Sequence, residues 1–298
     1  GEHVTAIEVQ QAVNSSNKLS GTVTVNATKI WKAAAFQSAL EDVRVELTLQ
    51  ARPVGSEDPW EDTEITETLG TEKTGKFTAE NLGGLSVSAS APKYDNQGRE
   101  LEYRWVESAV YQGENKTNLL DNNSFTLSGG GSRGDAKYRV TDVENGNTTE
   151  ITNAVSNQID YTVEKKWKSG AQEGPVTFAL YRTIGEQSLT ETCKVLTFTM
   201  DAGGTVNVDF TKENAFIDAI DGEISIQFSE AWKALLQNLP EYDEEGRRYE
   251  YLILEENGNP TYETSIDSST GDYTTIVTNG PGGSHRILVQ KNWVDDSD

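Results

Sequence analysis

A lysine amine, a carboxyl group and an asparagine carboxamide can build a covalent amide when they meet away from water. The chain offers candidates of each type: the amines of Lys29 and Lys165, the acids Glu107 and Glu255, and the amides Asn153 and Asn279. In the run Val25 to Trp31, strand alternation places Lys29 on the face of Val25, Ala27 and Trp31. Lys165 likewise shares a face with Tyr161, Val163 and Trp167. Both lysines are therefore expected to point into a core. There, desolvation penalises the ammonium form, lowers the pKa and favours the nucleophilic neutral amine. Glu107 falls on the face of Tyr103 and Trp105, and Glu255 on that of Tyr251 and Ile253. A carboxyl group buried in this way tends to keep its proton, and it can shuttle protons and polarise an amide carbonyl. Attack of a lysine Nζ on an asparagine side-chain carbon would expel ammonia and leave an amide bond.

Any one of these residues alone is more simply a surface lysine, a surface glutamate or a turn asparagine. Their repeated order argues otherwise. A Lys-x-Trp ends an alternating run at Lys29-Ile30-Trp31, at Lys165-Lys166-Trp167 and at Lys291-Asn292-Trp293. A run opening with Pro, an aromatic residue and a Gly turn closes on a tyrosine with a glutamate four positions later. It reads PKYDNQGRELEYRWVE to Glu107 and PEYDEEGRRYEYLILE to Glu255. A short β-type run then ends in Thr-Asn at Asn153 and at Asn279. The lysines step by 136 and 126 residues, each about the length of one β-sandwich. The extra length of the first repeat falls around Tyr111 to Asp142, and that of the second in its helix-like stretch.

The elements that must position these groups read as strands. Gly21 to Trp31, Val43 to Leu49, Val176 to Tyr181 and Tyr249 to Leu254 are rich in Val, Thr, Ile and Tyr and mostly alternate. Gly- and Asn-containing clusters such as Asn96-Gln97-Gly98, Asn145-Gly146-Asn147 and Glu245-Gly246 punctuate them. Two stretches read as helices, Lys212 to Ile220 and Ser229 to Leu239; in the second, Trp232, Leu235, Leu236 and Leu239 fall at i, i+3, i+4 and i+7, and Pro240 stops it. Trp31, Trp105, Trp167 and Trp232 are expected in the core, Trp60 at the surface and Cys193 as an unpaired strand residue.

Composition removes other functions. The 298 residues carry 25 Lys and Arg against 48 Asp and Glu, a net charge of −23. That balance suits neither nucleic acid nor an anionic membrane. No apolar run approaches the roughly 20 residues that span a bilayer. One cysteine excludes an internal disulfide and a Cys-rich zinc site, and two histidines near the chain ends exclude a Ser-His-Asp triad inside a folded body. The acidic clusters Asp243-Glu244-Glu245 and Asp295-Asp296-Asp298 lack the alternating oxygen ligands of a calcium loop. No metal and no cofactor are implied. Gly1 opens on a polar stretch with no secretion signal, which is expected of a mature or excised fragment.

Together the three motifs, in order and twice over, resemble the Cna B-type domains of Gram-positive surface adhesins and pilins, over about residues 18–281. The resemblance implies an all-β fold of tandem immunoglobulin-like (inverse Ig or transthyretin-like) sandwiches, here with short helical insertions. Its first module would span 18–157 and its second 158–281. Residues 1–17 would be the last strand or linker of a preceding module, and 282–298 the first strand of a following one. The resemblance also implies autocatalytic isopeptide bonds between first and last strands, Lys29 to Asn153 with Glu107 assisting, and Lys165 to Asn279 with Glu255. Lys166 and Glu256 duplicate two of these groups, and parity favours Lys165 and Glu255. The implied role is a structural stalk on the extracellular, wall-anchored surface of a Gram-positive bacterium, with adjacent modules of the same protein as partners. An adhesive module that binds a host matrix protein or glycan is the alternative. Enzymatic activity beyond self-crosslinking is not expected.

Overall fold

A computed structural model describes residues 19–129, 134–169, 171, 174–204, 207–210, 225–230 and 232–281. The strands are β1 (Thr22–Lys32), β2 (Val43–Pro53), β3 (Glu61–Leu69), β4 (Leu85–Pro92), β5 (Leu101–Gln112), β6 (Ser124–Leu127), β7 (Ala136–Asn145) and β8 (Thr148–Val155). There follow β9 (Gln158–Trp167), β10 (Val176–Ile184), β11 (Lys194–Met200), β12 (Asn207–Phe210), β13 (Ser225–Glu230), β14 (Lys233–Pro240), β15 (Tyr249–Glu255), β16 (Thr261–Ile266) and β17 (Tyr273–Asn279). The fold is all-β. Among the described residues the helical pieces are 3-10 turns, at Ala34–Leu40 and Glu191–Cys193.

Two sandwiches follow one another. In the first, a five-stranded sheet ordered β4-β1-β8-β7-β6 faces the three-stranded β3-β2-β5. In the second, β13-β14-β9-β17-β16 faces β12-β11-β10-β15. Each encloses its own apolar core, one around Trp105, Leu47 and Tyr138, the other around Phe178, Phe198 and Tyr161. The equivalences run β1 to β9, β2 to β10, β3 to β11, β4 to β14, β5 to β15, β7 to β16 and β8 to β17. The extra strand of the first sandwich is β6, inside the long Tyr111–Asp142 segment, and those of the second are β12 and β13.

The topology has one consequence for chemistry. The first and last strands of each sandwich are neighbours and run parallel, β1 beside β8 and β9 beside β17. Residues near the two ends of a module are thus brought side by side across a long loop.

The expected helix over Ser229–Leu239 is instead a hairpin of β13 and β14. Trp232 takes φ of 64° in its turn, and Asn238 takes φ of 62° where the pairing of β14 with β9 slips between Leu236 and Leu239. A turn residue and an extra strand residue, inserted into a period of two, reproduce the spacing of a helical face. Ala234, Leu236 and Leu239 are buried, while Leu235 lies on the opposite side of the strand. The other expected helix, Lys212–Ile220, and the end segments 1–17 and 282–298 lie outside the described residues. Cys193 is buried at the end of a 3-10 turn, not in a strand.

Candidate functional site

Alternation along β1 and β9 brings both lysines inward. Lys29 is wholly buried and Lys165 is 3% exposed. In the parallel pairing, Lys29 stands opposite Ile151 and Asn153 opposite Trp31, two residues along and on the same face. The second sandwich repeats this register, with Lys165 opposite Val277 and Asn279 opposite Trp167. The acids arrive from the facing sheets, Glu107 on β5 and Glu255 on β15.

Each carboxylate bridges the other two groups. Lys29 Nζ lies 3.0 Å from Glu107 Oε2, and Asn153 Nδ2 donates to Glu107 Oε1 at 3.0 Å. Lys165 Nζ lies 3.4 Å from Glu255 Oε2, and Asn279 Nδ2 donates to Glu255 Oε1 at 2.8 Å. The amines also donate to the last strand's backbone, Lys29 to the Ile151 carbonyl at 3.3 Å and Lys165 to that of Val277 at 3.4 Å. The side-chain oxygens of Asn153 and Asn279 are buried with no hydrogen-bond donor among the described residues. Such an orphan acceptor is costly unless a donor is supplied.

Burial pushes the Lys29 amine down to about 8, against the opposing pull of Glu107. Desolvation lowers Lys165 as well, again resisted by its glutamate. At pH 7 an amine of pKa 8 is neutral in about one molecule in ten, against about one in three thousand at the ordinary lysine value. The low-dielectric site therefore supplies the nucleophilic form that a surface lysine lacks.

The surrounding residues give the motifs a physical meaning. The tryptophan of each Lys-x-Trp shares the lysine's face and walls the amine, with Lys29 Nζ 4.9 Å from the Trp31 ring and Lys165 Nζ 4.3 Å from Trp167. Trp31 is packed edge-on against Phe77 and Tyr138. The proline and tyrosine of the second motif are partners too. Tyr103 donates its hydroxyl to the Pro92 carbonyl, and Tyr251 donates to that of Pro240 at 2.6 Å. That bond ties the strand bearing the acid to the end of the neighbouring strand in the other sheet.

Lys166 and Glu256 stay outside. Lys166 is exposed, 3.4 Å from Glu164, and Glu256 pairs with Lys194 at 3.0 Å on the surface. Trp60 is half-buried against the guanidinium groups of Arg52 and Arg104. Asp243 caps its own turn and pairs with Arg247.

Two residues at the second site were missed by motif reading. The Tyr262 hydroxyl accepts the Glu255 backbone N–H at 2.9 Å. Gly258, at φ of 153°, packs so closely that a Cβ there would collide with Glu255 Oε1 and lie 3.4 Å from Asn279 Nδ2. The turn-rich run Glu256-Asn257-Gly258-Asn259-Pro260 signals a bend, but not that the bend closes over a carboxylate.

A tandem all-β sandwich with a buried Lys-Glu-Asn cluster in each unit is the class that fold and site define. Residues 199–280, which include Glu255 and Asn279, match the family model of the Cna protein B-type domain. The motif resemblance therefore holds over that part of the second sandwich. No curated protein matches the chain. Solved structures similar to it include a single B repeat unit of the collagen-binding surface protein of Staphylococcus aureus, 16% identical, covering 88% of this chain and all of that one, with a TM-score of 0.22. The major pilin of Streptococcus pyogenes is 10% identical over 87% of this chain and 98% of that one, with a TM-score of 0.24. The shaft pilin SpaA of Lactobacillus rhamnosus GG is 13% identical over 89% and 100%, with a TM-score of 0.23.

Proposed function

We propose that the chain is a stalk segment of a Gram-positive adhesin or pilus, exposed on the cell surface and anchored through the wall, with each sandwich closed by a Lys–Asn isopeptide bond. The carrying observation is the same Lys-Glu-Asn constellation built twice, in the same register, by otherwise divergent sequences. An accidental buried ion pair has no reason to recur with an orphan amide oxygen beside it.

The reaction follows from the contacts. The Lys29 ammonium passes a proton to Glu107, leaving a neutral amine beside a neutral acid. The amide turns so that Oδ1 accepts the acid's O–H, which polarises the carbonyl. Lys29 Nζ attacks Asn153 Cγ. The amine nitrogen then gives up a further proton, the former Nδ2 gains one, and the C–N bond to it breaks. Glu107 carries these protons, and ammonia is the by-product. Lys165, Glu255 and Asn279 do the same. Each cluster acts once, on itself, so the chain turns over no substrate. Its partners in this role are adjacent modules of the same surface protein.

Tryptic peptide mapping tests this. Branched peptides joining Lys29 to Asn153 and Lys165 to Asn279 are expected, with Lys166 free. Linear peptides carrying an unmodified Asn153 and Asn279 would sink the proposal.

A further inference from the structure

The two sandwiches meet through a specific contact that the cross-links do not require. The turn between β14 and β15, Pro240 to Arg248, reaches the end of β1. Ala34 N–H donates to the Glu245 carbonyl at 3.4 Å, and Ala35 N–H to the Gly246 carbonyl at 3.1 Å. Lys32 Nζ lies 2.7 Å from the Glu245 carboxylate. Tyr242, only 3% exposed, joins the core of the first sandwich and lies with its ring centroid 5.1 Å from that of Phe36. Gly246 leaves no room: a Cβ there would lie 2.7 Å from the Ala33 nitrogen. The connection between sandwiches is pinned on both sides. Asn157 accepts the Lys137 N–H on its side-chain oxygen at 2.8 Å, donates to the Asp135 carbonyl at 3.1 Å, and accepts the Glu241 N–H on its backbone at 2.9 Å.

The first sandwich contains an internal control. Its Pro92–Arg99 turn has the same construction. Asp95 Oδ1 accepts from the N–H groups of Gln97 and Arg99, as Asp243 Oδ1 does from Glu245 and Arg247. Glu245 is replaced by Gln97, and Tyr94, in the place of Tyr242, is only half-buried. The turn therefore needs neither the glutamate nor a buried tyrosine to form. Those two features belong to the contact.

We infer that Lys32–Phe36 is a docking surface for the Tyr242 turn of the following module, which holds the two sandwiches at one fixed angle. The exposed Lys32–Glu245 pair contributes little. The tyrosine ring, buried in the neighbouring core against Phe36, and the two backbone bonds hold the joint. A stalk built this way resists bending as well as stretching, because the short connection between the sandwiches cannot swivel while Tyr242 is seated.

Spin labels at Val143→Cys and Ile266→Cys, both exposed sites, in a Cys193→Ser full-length chain would report the distance between sandwiches by pulsed electron resonance. A single narrow distribution is expected, broadened severalfold by Tyr242→Ala and unchanged by Tyr94→Ala. If Tyr242→Ala does not fold, Ala35→Pro, which removes the N–H given to Gly246, should broaden it instead. A broad distribution in the parent, or a narrow one surviving both variants, would overturn the inference. Either result is independent of whether the isopeptide bonds form.

Discussion

Pulling the chain by its ends separates a cross-linked module from a merely folded one. Force entering β1 at Thr22 would run to Lys29, cross to Asn153 and leave at the end of β8. The intervening chain carries no tension while the bond holds. Lys29 and Asn153 are 124 positions apart. At ~3.4 Å per extended residue, unfolding that loop releases about 400 Å of length. The Asn153→Ala variant should show this step in single-molecule force spectroscopy, since parallel neighbours β1 and β8 would then be held by non-covalent contacts alone. The parent chain should stretch only through its linkers until a covalent bond ruptures. The second sandwich, still joined by Lys165 and Asn279, should give no step in this variant. Steps of about 400 Å in the parent chain would mean that the strands are not joined.

Three further outcomes follow from the same geometry. Loss of the loop constraint in Asn279→Ala should cost about 5 kcal/mol in the chain-entropy account, lowering the second sandwich's melting temperature by on the order of 15 °C in calorimetry. In Asn153→Ala the unreacted Lys29 keeps its lowered pKa of about 8 against an ordinary 10.5. The folded state then binds fewer protons than the unfolded state between those values. Its stability should rise with pH across that window, by up to about 3 kcal/mol, with the penalty fully present below pH 8; urea titrations should show the slope vanish in Asn153→Ala/Lys29→Met. Gly258→Val should block the second bond and spare the first, seen as loss of one branched peptide; both peptides surviving would mean that the close approach to Glu255 has no consequence.

Much of the site was legible because strand parity is binary. A residue on β1 either faces Trp31 or it does not, so Lys29 over Lys32, and Lys165 over Lys166, followed from counting. The repeated order of motifs supplied the pairing that no local signal contains. Parity failed where a strand departs from it. At Trp232 and Asn238 left-handed residues shift the phase of β14, and a hairpin acquires the spacing of a helical face. Tyr242 was invisible for another reason. In sequence it is the equal of Tyr94, and only the approach of the neighbouring sandwich distinguishes them. Gly258 reads as an ordinary bend because its role lies in what a side chain would displace.

Two lysine amines should have become amides. Intact mass of the purified chain measures this most directly. A species lighter than its sequence by two ammonia molecules is expected, by one in Glu107→Ala or Glu255→Ala, and by none when both are replaced. A parent mass equal to that of the unmodified sequence would contradict it.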